Sequence, residues 1–174
     1  MSAARVSVFA CEPQPIVVEG LRRILADCTD FSFAGAAANP ADSLPSVAAI
    51  QPDIVLVDQS GGLRNALQFI VELKRVSAGS RPVLWVAEMA NVESFRVFQN
   101  GVRGILKKTL PVASLLDCLR TVAGGGIWIE NASAGEADSL LNPGRVPRLT
   151  AREKDIVRLV CRGFKNRQIA DELR

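Results

Sequence analysis

Five short β-rich runs alternate with segments whose apolar residues recur at helical spacing, and that alternation admits few architectures. Residues 6–10, 31–34, 54–57, 83–86 and 104–107 read as strands, and 16–25, 67–76 and 112–122 read as helices. Parallel strands need long crossovers, so five such βα units predict a five-stranded parallel sheet with helices on both faces and right-handed connections. Pro45 is expected to limit the second helix to a start at or just before it, since proline lacks the amide that a helix interior uses. The triplet Gly124, Gly125 and Gly126 breaks the regular pattern, and the GIWIE segment after it reads as a short extended piece.

A chain of 174 residues at 48% hydrophobic content suits one ordinary domain with a small appendage. No segment approaches the length of a membrane span, and the apolar stretch 6–11 is too short for a signal sequence, so the cytoplasm is the expected compartment. Cys11, Cys28, Cys118 and Cys161 lie far apart without CxxC spacing and read as small buried hydrophobes. Histidine is absent. That removes Ser-His-Asp chemistry, HExxH zinc sites and any phosphohistidine step on this chain, and with them most hydrolase readings.

In open α/β sheets, ligands collect beyond the carboxyl ends of the strands, near the point where strand order reverses. Asp58 closes the apolar run IVLV and precedes a loop of Gln59, Ser60, Gly61 and Gly62; Glu12 follows the first strand and Lys108 the fifth. Two acids and an ammonium at three strand ends suit a divalent cation and a phosphoryl group, with the Asp58 carboxylate as nucleophile. Simple solvation of strand ends accounts for the same residue types, so position alone leaves both readings open.

The C-terminal 26 residues follow a different pattern. Thr150 with Glu153 forms a capping box, Ile156, Val157, Leu159 and Val160 make one apolar stripe, and Gly163 supplies a stop. Asn166 then caps a second short helix bearing Ile169, Ala170 and Leu173. Spacing alone admits either a helix-turn-helix or a plain αα-hairpin used for packing. From Gly144 onward there are nine Lys or Arg against four Asp or Glu, whereas residues 1–143 hold twelve against fourteen. The basic charge is thus concentrated where a phosphate backbone would be met, with Lys165, Asn166 and Arg167 opening the second helix as candidate backbone contacts.

The order LTxRExxIVxLVxxGxxNxxIAxxL closely resembles the opening of the LuxR-type helix-turn-helix. PIVVEGLRRIL, PDIVLVD and GVRGILKK resemble the receiver domain of NarL/FixJ-type response regulators. The resemblance implies a flavodoxin-like, doubly wound receiver over residues 1–128, a linker over 129–147, and the N-terminal half of an all-α DNA-binding domain over 148–174. The groove-reading helix falls beyond Arg174, so the 174-residue form is expected to bind specific DNA weakly or not at all. The same resemblance implies Asp58 as phosphoacceptor, Lys108 as phosphate contact, and a Mg²⁺ site drawing on Glu12, Asp58 and Ser60.

Departures from the family pattern fall on that site. Pro13 stands where the second metal-binding acid belongs, Val86 where a Thr or Ser hydroxyl belongs, Ile105 at the aromatic switch position, and Gly62 where a loop proline is usual. A methyl group offers a phosphoryl oxygen no hydrogen bond, and proline offers a metal no side-chain oxygen. The resemblance with its departures implies a non-enzymatic transcription regulator with a degenerate receiver, homodimeric through its first or last receiver helix. Its input would be a cognate kinase, another protein or a small molecule. The alternative is a receiver-like adaptor that never touches DNA.

Overall fold

The computed structural model describes residues 5–87 and 97–129, together with Leu159, Gln168 and Glu172. The elements in chain order are β1 (Val6–Cys11), α1 (Pro15–Ala26), β2 (Phe31–Ala37), α2 (Pro40–Ile50), β3 (Ile54–Asp58), α3 (Leu63–Val76), β4 (Arg81–Val86), β5 (Gly104–Lys107), α4 (Val112–Ala123) and β6 (Trp128–Ile129). All strand pairs are parallel, in the order β2-β1-β3-β4-β5-β6. The chain therefore steps outward from β1 to β2 and then reverses to the far side of β1 at β3. The carboxyl ends of β1 and β3 flank that reversal, where a doubly wound sheet leaves a crevice.

Alternation along the strands builds two cores. Phe9, Cys11, Val55, Val57, Leu84 and Val86 face one side, where Val47 of α2 and Phe69, Ile70 and Leu73 of α3 cover them. Val8, Ala10, Ile54, Leu56, Val83 and Trp85 face the other, beneath Leu21 and Leu25 of α1 and Leu115, Leu119 and Val122 of α4. Burial on both faces explains why IVLV is a continuous apolar run instead of an alternating one. Ser7 fastens β1 to the chain entering β3, because its amide and hydroxyl donate to Asp53 Oδ2 at 2.8 and 2.7 Å.

The structure differs from the sequence expectations in three places. A sixth strand, Trp128–Ile129, pairs with β5 and takes these two residues of the GIWIE segment into the sheet, so the sheet has six strands, not five. Helix α3 begins at Leu63, four residues before the apolar periodicity becomes visible at Leu67. Pro45 lies inside α2 instead of at its start. The helix begins earlier because Asn39 accepts from the Asp42 amide at 3.0 Å and Pro40 occupies the first turn with its φ already set. Ser43 and Ser46 donate to the carbonyls of Asn39 and Asp42 around the proline, at 2.8 and 3.2 Å. An Asn39→Ala variant is expected to lose about 1 kcal/mol in urea unfolding, the usual worth of such a cap; no measurable loss would show that Pro40 alone sets this helix start.

Cys11 and Cys118 are buried, as expected, while Cys28 is only half-buried. Burial pushes the Cys118 thiol up to about 12, which leaves it inert. The chain divides into two compact units, Met1–Leu141 and Asn142–Arg174. In the second, Leu159 is helical and buried, whereas Gln168 and Glu172 are helical and exposed. Lys165, Asn166, Arg167, Cys161, the Thr150/Glu153 capping box and nearly all of the expected linker lie outside the described residues. No described helix is long and apolar enough to cross a membrane.

Candidate functional site

Glu12 is the first residue beyond β1, Asp58 the last of β3, and Lys108 the first beyond β5. Two of them are fixed by the strand next to the one that delivers them. The Glu12 amide donates to the Ala37 carbonyl at 2.9 Å, and the Lys108 amide donates to the Val86 carbonyl at 2.7 Å. Lys108 and Glu12, 96 positions apart, meet with Nζ 2.7 Å from Oε2. The same ammonium stands 2.5 Å from Asp58 Oδ1. The Glu12 and Asp58 side chains are only 1% and 6% exposed, and that of Lys108 is 18% exposed. This is a carboxylate–ammonium–carboxylate cluster taken largely out of water.

Both remaining carboxylate oxygens are occupied. Glu12 Oε1 accepts from the Gln14 amide at 2.9 Å. Asp58 Oδ2 accepts from the Ser60 amide at 2.7 Å and also from the Ser60 hydroxyl. Burial alone would raise the Asp58 carboxyl, but hydrogen bonds from Lys108 and Ser60 outweigh it and hold the group below its ordinary value. Burial likewise works against the Lys108 charge, and its bonds to Asp58 and Glu12 overcome that and raise it. The loop after Asp58 turns tightly: the Gly62 amide donates to the Gln59 carbonyl at 2.8 Å, and Gly62 has φ +92°, a region that disfavours a side chain. That conformation accounts for glycine at this position.

Pro13 is exposed and adds no side-chain oxygen to the cluster. Val86 is fully buried and Ile105 is 8% exposed, both in the core beneath α2 and α3. Among the described residues, no group of three or more Cys, Asp or Glu has the spacing of a metal site.

Two features escaped the sequence reading. Trp85, one residue before the end of β4, lies beneath Lys108, with Nζ 5.5 Å from the ring centroid. Its position next to Val86, opposite Leu106 in β5, was the available signal. The second is a cleft of about 430 Å³ beside Asp58, between the start of α2 and the outer face of α3. Its walls come from residues distant in sequence, so no local pattern announces it.

A doubly wound parallel sheet of this order is the fold of receiver domains. No family model matches the chain. The nitrate/nitrite response regulator protein NarL of Escherichia coli K12 is 24% identical over 173 residues, covering 96% of this chain and 80% of that protein. The methanol utilization control regulatory protein MoxX of Paracoccus denitrificans is 28% identical over 175 residues, covering 97% and 78%. Among solved structures, RcsB of Salmonella enterica serovar Typhimurium, bound to the rprA promoter with a beryllofluoride phosphomimetic, superimposes with a TM-score of 0.63 at 18% identity over 98% of this chain and 84% of that one. The homologues of this chain are transcriptional response regulators of the NarL/LuxR two-component type, and its structural neighbours carry receiver domains.

Proposed function

We propose that this chain is a DNA-binding transcription regulator whose receiver is controlled by something other than ordinary phosphorylation of Asp58. The observation that carries the reading is the position of Lys108, whose ammonium already satisfies both Glu12 and Asp58. Mg²⁺ demands near-octahedral oxygen ligation and dehydrates reluctantly. Here Pro13 contributes no oxygen, and the side-chain oxygens of Glu12 and Asp58 are engaged with the Gln14 amide, with Ser60 and with Lys108. The residues present do not fit the ion. Without it, a phosphoryl group at Asp58 would sit beside Glu12 with only Lys108 to offset the charge.

The output side supports the same reading. A phosphoryl sensor needs a hydroxyl that moves toward the new oxygens and a ring that follows it, so that two states differ in contacts. Val86 and Ile105 are instead packed apolar side chains. We assign DNA contact to the basic C-terminal segment, with Lys165, Asn166 and Arg167 on the phosphate backbone, and the receiver to homodimerisation. RcsB is seen as dimers bound to DNA, which supports that arrangement. The chain performs no catalysis of its own and works in the cytoplasm, taking its input from a partner protein or a small molecule.

The test is incubation of the protein with Mg²⁺ and either beryllofluoride or a small-molecule phosphodonor, read by intact mass and by sedimentation. No Mg²⁺-dependent adduct at Asp58 and no change of oligomeric state are expected. A stoichiometric Asp58 adduct that shifts the oligomer would overturn the reading.

A further inference from the structure

We infer that the cleft beside Asp58 is a binding site for a small organic cation with an apolar body, and that such a molecule is an input of this receiver. The inference rests on the proposed non-phosphate control for its regulatory meaning, but the binding itself stands on geometry. At about 430 Å³ the cleft falls within the size range of small-ligand sites. Pro13, Ala38 and Pro40, all exposed, give it an apolar lining, with Val57 and Phe69 buried beneath. The proline that removed a carboxylate from the metal position thus forms part of a hydrophobic wall.

The charge of the walls selects the ligand. No Lys or Arg among the described residues lines the cleft, whereas Asp58 and Glu72 do. Glu72 is half-buried on α3, and its carboxylate has a single partner among the described residues, the Gln68 amide at 3.3 Å. Lys108 cannot neutralise it, since that ammonium is shared by Glu12 and Asp58, and those three groups together still carry one net negative charge. The N-terminus of α3 opens nearby and favours anions, but a helix end is equivalent to roughly half a positive charge. Two net negative charges prevail over that. Asn65, also on the wall, donates to the Gly61 carbonyl at 2.7 Å, and its Oδ1 accepts no hydrogen bond among the described residues. An ammonium paired with Glu72 and bonded to Asn65, with its hydrocarbon against Pro13, Ala38 and Pro40, satisfies these walls. Inorganic phosphate and carboxylates do not.

The test uses three probes of similar size, 4-phenylbutylamine, 4-phenylbutanol and 4-phenylbutyrate, titrated into the ¹⁵N-labelled 174-residue chain with amide shifts followed by NMR. The amine is expected to move the Gly61, Gly62 and Asn65 amides with a Kd on the order of 1 mM, as its size allows. The butyrate should bind at least ten-fold more weakly, with the alcohol between them. Glu72→Gln should weaken the amine about ten-fold and leave the alcohol unchanged, while Glu19→Gln on exposed α1 should change neither. Equal binding of all three probes would overturn the charge argument, and shifts confined to other surfaces, or none, would overturn the site. These outcomes are independent of the Mg²⁺ and beryllofluoride experiment: a phosphorylatable Asp58 would sink the proposed mode of control and leave the cleft standing.

Discussion

Replacing Lys108 with methionine is expected to cost about 3 kcal/mol of stability at pH 7, seen as a fall of one to two molar in the urea midpoint, on the order given by typical unfolding slopes. The variant keeps the aliphatic stem but leaves the Glu12 and Asp58 carboxylates, 1% and 6% exposed beside Lys108, without the ammonium they share. Breaking a buried pair from one side typically costs about 3–5 kcal/mol, and the lower end applies because Lys108 retains 18% exposure. The pH dependence identifies the cause. Asp58 is held below its ordinary 3.8, so its contribution in the native protein is present above that value and is lost as pH falls through the lower folded value. Lys108 is raised above its ordinary 10.5, so its contribution is complete below that value and disappears as pH climbs past the higher folded one. In the variant the penalty should be largest near neutrality and should shrink in acid, where a proton on Asp58 relieves the repulsion. A loss under about 1 kcal/mol, or one independent of pH, would show that water already screens the cluster.

Phe69→Ala is expected to be comparably damaging for a different reason, at about 3–5 kcal/mol in the same assay. Phe69 is 1% exposed and fixes α3 against β1, β3 and β4, the strands whose ends carry and border the acidic cluster. Deleting the ring removes its buried area and leaves a void that the flanking strands, hydrogen-bonded on both edges, cannot collapse to fill. Phe69→Leu should recover more than half of the loss, and its effect should not vary with pH, which separates packing from electrostatics. As a contrast, Ile16 on α1 is 79% exposed, so its truncation should fall within about 0.5 kcal/mol of the native protein. A Phe69→Ala cost as small as that would mean that α3 is not held by this core.

Much of the architecture was legible because periodicity is a local property. Strand β5 was readable to its ends, and α4 within a residue, since Gly104 and Val112 mark real changes of repeat. Two local rules misled. Pro45 reads as a boundary because proline weakens helices on average, yet the cap at Asn39, with hydroxyl bonds around the ring, stabilises the turn that contains it. The Trp128–Ile129 pair was too short to count as a strand by pattern, and only the free edge of β5 makes it one. At the site, Asp58, Glu12 and Lys108 were identifiable as strand-end residues. Trp85 beneath the ammonium and Glu72 above the cleft carried no motif.

The amino-acid order by itself determined which residues stand at the ends of strands, that a proline follows Glu12, and that positive charge gathers beyond Gly144. These are properties of composition and repeat, set within a few residues of one another. Tertiary structure alone decided that a single ammonium satisfies two carboxylates, and that the proline borders an acidic, apolar cleft. The physical reason is the reversal at β1, which sets β3 beside it and brings groups from three distant strand ends into contact distance. Burial then turned that proximity into a strong interaction.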